Sequence, residues 1–362
     1  MKRTEYEGKY FHHEEERKIR KLQPTTSGIS LYETQQDEIV VLKLFDLNYN
    51  SSIHDSDTEF LNYLCKKFTQ GMRRKERKIK PFSMQFDLAY TFSCATSNIS
   101  LESTCDVKIS YTHGLILISS GDIHVFDLYT KKFITTFSIP DCELLYMNIE
   151  ENFDGNNNDA LFFDCYGHNC VFKYDLKRLV DQTINKESCD FIWKSEKLEE
   201  PRGMALWKDR LCFEENLLFV CNEKHTDGSI LILRSSTGQT VRTITNLESP
   251  YGLTFTENGN ELFVSMLSSI EIFRKDDKNQ WTFERLLVEN DDIYSQGLTY
   301  DKVSKTLISC NDEFNEIQIF QPTDGTIIKE FGENVFLPDS LCLNEETGEL
   351  FVCQDDSVKV YK

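Results

Sequence analysis

The chain has 362 residues, 40% of them hydrophobic, with 40 Lys+Arg against 60 Asp+Glu and a formal net charge of -20. That much apolar material excludes global disorder, the acidity disfavours a general nucleic-acid binder, which must neutralise phosphates, and no apolar run reaches the roughly 18 residues of a membrane span. The charge is uneven: residues 1–80 carry 16 Lys+Arg and 13 Asp+Glu, net +3, which leaves 24 and 47, net -23, for residues 81–362.

The chain opens on MKRTEYEGKYFHHEEERK, which is charged throughout and offers no apolar stretch to serve as a signal peptide. The twelve cysteines are therefore expected to be reduced thiols of a cytoplasmic or nuclear protein. Cys165 and Cys170, with His168 between them, lack the second ligand pair of a structural zinc site, so no metal and no cofactor is expected there. Residues 1–34 read as a mobile polar tail.

From 35 to 80 the text changes. Gln35–Phe45 is an acidic start followed by an apolar run, and Phe60, Leu61, Leu64, Cys65 and Phe68 form a helical stripe behind a capping Asp57 or Thr58. The spacing predicts a small α-helical hairpin. Asp37-Glu38 before the apolar run, with Phe60-Leu61 and Leu64-Cys65-Lys66-Lys67-Phe68, resembles a degenerate F-box over about 45 residues. The resemblance implies docking to the adaptor subunit of a cullin-type ubiquitin ligase through Ile39, Leu42, Phe60 and Leu64. The usual Leu-Pro start is replaced by glutamines. A RING domain is excluded, because Cys65 is the only cysteine before residue 94. The basic run Arg73, Arg74, Lys75, Arg77, Lys78, Lys80 reads first as a solvated helix end or linker, with a nuclear-localisation or nucleic-acid patch as the alternative.

Residues 81–362 hold a repeat. A short apolar strand closed by a small residue is read at Ser119, Asp164, Cys221, Ser265, Cys310 and Cys353, at intervals of 45, 57, 44, 45 and 43 residues. A second strand, alternating at period two, follows each one: IHVF, VFKY, ILIL, IEIF, IQIF and VKVY. Outer strands follow in KFITTF, TVRTIT, FERLLV and TIIKEF. A lead-in element precedes the apolar strand at Pro201-Arg202-Gly203, Pro250-Tyr251-Gly252, Ser295-Gln296-Gly297 and Pro338-Asp339-Ser340. Four strands per repeat, six times over, predict an all-β six-bladed β-propeller at 81–362. The last repeat lacks its outer strand, and FSMQFDLAYTFS (82–93) supplies a spare one, so this N-terminal strand is expected to close the ring and remove an open edge.

The Pro-x-Gly, leucine-aromatic-Val-small and Ile-x-Ile-Phe pattern resembles the NHL repeat family over about residues 105–362, most clearly from Ser249 onward. The resemblance implies a propeller used for recognition. No Ser/His/Asp arrangement is recognisable among the seven histidines, and acidic pairs such as Asp355-Asp356 read as turns. The lead-in loops and the turns between second and third strands open on one side of a propeller. This places Arg202, Tyr251, Gln296 and Asp339 beside Tyr166, His168, His225, Asn311, Phe314 and Asp355 as a binding face for a protein or peptide with a basic segment. The expected function is thus a non-enzymatic interaction module, with a substrate-recognition role in ubiquitination. The alternatives are a metal-dependent lactonase-like hydrolase with its metal in the channel and an RNA-binding NHL propeller, which the net of -23 disfavours.

Overall fold

The structure, a computed structural model, describes residues 78–97, 99–208, 216–223, 227–276, 280–289 and 295–362. It also describes the backbone of two strands, β1 (Ser30–Gln35) and β2 (Glu38–Lys43), paired antiparallel with Leu31 opposite Leu42. Here a helix was expected over 35–45. Ile39, Val40 and Val41 account for the difference, because branching at Cβ costs side-chain freedom in a helix and packs well on a pleated strand. The second expected helix, with Phe60 and Leu64, lies outside the described residues. The chain divides into two compact units, Met1–Thr69 and Gln70–Lys362.

The second unit is a six-bladed β-propeller of four-stranded antiparallel blades. Blade 1 runs from the innermost strand outward as β4 (Asp106–Ser110), β5 (Leu115–Ser120), β6 (Asp122–Asp127) and β7 (Phe133–Phe137). Blade 2 holds β8 (Met147–Glu150), β9 (Ala160–Cys165), β10 (Cys170–Asp175) and β11 (Trp193–Lys194). Blade 3 holds β12 (Pro201–Trp207), β13 (Leu217–Asn222), β14 (Gly228–Arg234) and β15 (Thr240–Leu247). Blade 4 holds β16 (Leu253–Phe255), β17 (Glu261–Ser265), β18 (Ser269–Lys275) and β19 (Trp281–Glu289). Blade 5 holds β20 (Ser295–Asp301), β21 (Thr306–Asn311), β22 (Glu316–Phe320) and β23 (Ile327–Phe331). The sixth blade holds β24 (Leu341–Asn344), β25 (Glu349–Gln354) and β26 (Ser357–Tyr361). Its outer strand is β3 (Leu88–Phe92), with Phe92 opposite Val358. The N-terminal strand therefore closes the ring, and the first strands of successive blades touch one another all the way round.

Six buried apolar clusters lie between adjacent blades, one at each interface. The period of two distributes each inner strand between its two neighbours. On β9, Phe163 packs toward blade 1 and Phe162 toward blade 3. On β13, Leu218 and Val220 face blade 2 while Phe219 and Cys221 face blade 4. Strands buried on both faces read as continuous apolar runs, which is why LFV-type strings mark these positions. Cys221, Cys310 and Cys353 are fully buried and act as small apolar residues at those interfaces.

Blade 2 departs from the repeat in a way that its sequence did not reveal. A helix, Leu176–Ile184, capped by Asp175 accepting from the Arg178 N–H, is inserted before an outer strand of two residues. The insertion absorbs the long interval of 57 between Asp164 and Cys221. Cys142 and Cys165 form a disulfide with Cα atoms 5.5 Å apart, which corrects the expectation of reduced thiols for this pair. The two lie 23 positions apart and meet only because a lead-in loop folds back on β9, so their spacing carried no signal.

Among the described residues, no helix is long and apolar enough to cross a membrane.

Candidate functional site

The Pro-x-Gly motif explains how the lead-in loops come together at the channel. A Cβ on Gly203 would lie 2.3 Å from the Tyr251 carbonyl oxygen of the next blade, and one on Gly297 would lie 2.6 Å from Ser340 Cα. The Gly203 N–H donates to that Tyr251 carbonyl at 3.0 Å. Glycine is required for this close approach of backbone to backbone. The turns between second and third strands join the same end: the Tyr166 N–H donates to the Glu143 carbonyl at 3.0 Å, and the Leu337 N–H to Asn315 Oδ1 at 2.7 Å.

Side chains from all six blades converge there. Asp106, the first residue of β4, accepts from Ser340 Oγ at 2.6 Å and from the Met147 N–H at 2.8 Å, and pairs with Lys108. Tyr146 donates its hydroxyl to Asp339 at 3.1 Å, linking blades 2 and 6. Arg202 donates from Nε to Glu223 at 2.7 Å and stacks over the Tyr251 ring at 5.2 Å. Asp312, at the end of blade 5, adds a further negative charge that acts on both Asp339 and Tyr251. Asp164 on β9 accepts from the Leu145 and Tyr146 N–H groups at 3.0 and 2.6 Å with Oδ1, while its buried Oδ2 has no hydrogen-bond partner.

The electrostatics follow from this crowding. Burial pushes Asp164 up to about 8 against the two N–H donors and Arg202, with Asp106 adding repulsion. Asp339 is pushed up to about 7, again by burial first; the Tyr146 hydroxyl and Arg202 oppose the shift, and Asp106 and Asp312 add to it. Burial works against the Arg202 cation, yet Tyr251, Tyr146 and Glu223 hold it above its ordinary range. Burial raises Tyr251 to about 12. Two carboxyls at the channel mouth thus gain or lose protons near neutrality.

Asp164→Asn gives a direct check. Asparagine keeps an acceptor for Leu145 and Tyr146 but cannot ionise. With a folded value of about 8 against an ordinary 3.8, native Asp164 holds a proton that the unfolded chain has released. Its contribution to stability is therefore complete below about pH 4 and is lost as the pH rises toward about 8. The variant should melt like the wild type at the acid end and higher than it near pH 8. Parallel melting curves across the range would contradict the assignment.

The expected face is only partly assembled as foreseen. Arg202, Tyr251 and Asp339 come together in the mouth. Asn311 is buried and accepts from the Phe314 N–H at 3.1 Å, shaping its turn. Tyr166, His168, Phe314 and Asp355 are exposed on the surrounding turns. His225 and the side chain of Gln296 lie outside the described residues. Sequence reasoning missed Asp106, Tyr146 and above all Asp164. The signal for Asp164 was present, since it occupies the slot that holds Ser or Cys in the other five repeats. It also missed an apolar rim: Phe314, Phe336 and Leu337 are 50%, 56% and 44% exposed, and the Asn315–Leu337 hydrogen bond brings their loops together. Leu337 has φ of 43°, a left-handed conformation that costs a bulky side chain energy.

Among the described residues no group of three or more His, Cys, Asp or Glu is arranged to hold a metal ion, and the Arg202 cation acts on the carboxyls at the mouth.

No family model matches the chain, and no curated protein matches it. Solved structures do. The β-propeller domain of Cps50 (Swd1) from Myceliophteria thermophila is 12% identical, with 76% of this chain and 99% of that one covered and a TM-score of 0.53. A putative gluconolactonase is 12% identical, with coverage of 79% and 94% and a TM-score of 0.58. At this identity the likeness establishes the propeller fold and nothing finer.

Proposed function

We propose that the protein is a recognition module whose channel-mouth face binds a segment of a partner protein carrying apolar and basic side chains. The observation that carries this reading is the exposed trio Phe314, Phe336 and Leu337 beside a mouth rich in carboxyls. Exposed apolar groups gathered in one place with a charged neighbourhood are the usual composition of a binding surface. The net charge of -23 over residues 81–362 favours a basic partner, by steering as well as by contact. The repeat identity that best accounts for the Pro-x-Gly lead-ins is NHL-like. The net charge of -23 over residues 81–362 disfavours the RNA-binding alternative, which usually requires a basic track. The ubiquitin-ligase role rests on the resemblance of residues 35–80 alone, and recognition by the propeller face does not depend on it.

An array of short peptides combining aromatic or aliphatic residues with Lys or Arg tests the proposal. The intact protein should select a subset of them. Phe314→Ser with Phe336→Ser should weaken the best peptide by roughly 30-fold or more, the usual loss for removing central anchors, with the melting temperature unchanged because both side chains are exposed. Peptide binding that ignores sequence, or survives the double substitution, would overturn it.

A further inference from the structure

Among the carboxyls at the mouth, Lys108 and Arg202 are already engaged. Lys108 is paired with Asp106, and Arg202 is held by Glu223 at 2.7 Å, by Glu200 at 3.7 Å and by the face of Tyr251. Among the described residues neither Asp164 nor Asp339 has an ion pair. Asp164 is fully buried and one of its oxygens has no partner. A buried, unsatisfied carboxyl oxygen is rare and costly in native proteins. Resting on the recognition reading above, we propose that Asp164 Oδ2, with Tyr146, whose N–H donates to Asp164 and whose hydroxyl donates to Asp339, forms a site for a single alkylammonium group, supplied by a lysine side chain of the partner.

The choice of ammonium follows from geometry. A guanidinium binds best through two parallel hydrogen bonds to both oxygens of one carboxylate. Oδ1 of Asp164 is committed to the Leu145 and Tyr146 N–H groups, so only one oxygen is available. A compact point charge matches a single acceptor better than a planar fork does. Binding also has a proton consequence. Asp164 faces Asp106, Arg202 and the Tyr146 backbone, and Asp339 faces Asp106, Asp312, Arg202 and the Tyr146 hydroxyl. In that setting Asp164 is mostly protonated at neutral pH. A cation seated on Oδ2 requires it to ionise, and the proton goes to buffer.

The test uses the full chain and three probes followed by calorimetry from pH 6 to 9. These are Nα-acetyl-lysine methylamide, its arginine counterpart, and a peptide whose only amine is its N-terminus. The lysine compound should bind on the order of 10- to 30-fold more tightly at pH 8.5 than at pH 6.5, with close to one proton released at the acid end. The arginine compound should bind more weakly. An N-terminal amine loses its own proton near pH 8, so if the partner's chain terminus supplies the group, affinity for the third probe will peak and fall again, which keeps the ammonium site and changes its source. Asp164→Asn should abolish binding of the ammonium probes while melting no lower than the wild type at pH 6. Tighter binding of the arginine compound, affinity independent of pH, or undiminished binding by Asp164→Asn would overturn the site. If the ammonium probes fail while Phe314→Ser with Phe336→Ser still loses its peptide, only the site falls and the recognition face stands.

Discussion

Phe92→Ala is expected to lower the stability of the propeller by about 3–5 kcal/mol, the usual cost of emptying a buried aromatic site. For a domain of this size that is a fall of roughly 5–10 °C in Tm. Phe92 is fully buried between the last blade and the first, with ring centroids 5.0 Å from Phe126 and 6.3 Å from Phe351. The residue sits on β3, the strand that completes blade six, so the substitution weakens both the core and the closure. Losing the strand would leave β26 as an unpaired edge, open to pairing with another chain. The stretch ahead of β3 reinforces the seal: Phe86 stacks on Phe331 at 4.3 Å, and the Phe82 N–H donates to Asp301 at 2.9 Å. Leu88→Asp is the control. Leu88 lies on the same strand but is largely exposed, so it should cost less than about 1 kcal/mol, within the range of surface changes. Equal losses from the two substitutions, measured by chemical denaturation, would refute the packing account of closure.

A second large effect is expected from Lys173→Met. Lys173 on β10 lies 2.7 Å from Glu150 on β8, and both side chains are only 4% exposed. The ammonium also donates to the Ser235 carbonyl at 2.8 Å, and Asn216 donates to the other Glu150 oxygen at 2.6 Å, so the pair ties blade two to blade three. Burial works to raise Glu150, but the Lys173 charge and these hydrogen bonds hold it below the ordinary carboxylate value. Removing the lysine strands a buried carboxylate, a change that costs about 3–5 kcal/mol. Replacing both members, Lys173→Met with Glu150→Gln, should recover much of the loss, because the uncompensated charge is gone. The sign with pH is opposite to that of Asp164. A depressed carboxylate contributes its stability above the unfolded value and loses it as the pH falls through the folded one, so the gap between Lys173→Met and the wild type should narrow in acid. A gap that widens below pH 4 would count against the pair.

The propeller was legible because each inner strand is buried on both faces and must be written in continuous apolar letters. The closing strand was legible for a related reason: a missing outer strand at one end and a spare one at the other can only satisfy each other. What the sequence hid has physical causes. The Leu176–Ile184 helix is nine residues with only Leu176 and Leu179 buried, too short a stripe to stand out from a loop. The Cys142–Cys165 pair depends on a loop path that no periodicity encodes. At the N-terminus, an apolar run of four to six residues fits helix and strand alike by period, and its β-branched residues decided for β2. In the channel mouth, Arg202, Tyr251 and Asp339 were found through their motif. Asp164 was read as one more small residue of the repeat, although a carboxyl in a slot otherwise filled by Ser or Cys is the one chemically discordant letter in that column.

The closing strand also has a consequence for synthesis. Phe92 and its partner Val358 are 266 positions apart. At about 5–20 residues per second, β3 leaves the ribosome roughly 15–50 s before β26 exists to receive it. Throughout that time the first blade stands without its sixth-blade neighbour, and Phe92 has only the first blade's half of its core to enter. The nascent chain therefore carries an incompletely covered aromatic strand over the 266 residues of translation that separate Phe92 from Val358, the kind of segment that general chaperones hold. Slowed elongation late in the message should accordingly reduce the soluble yield of this protein more than the same delay placed before residue 82.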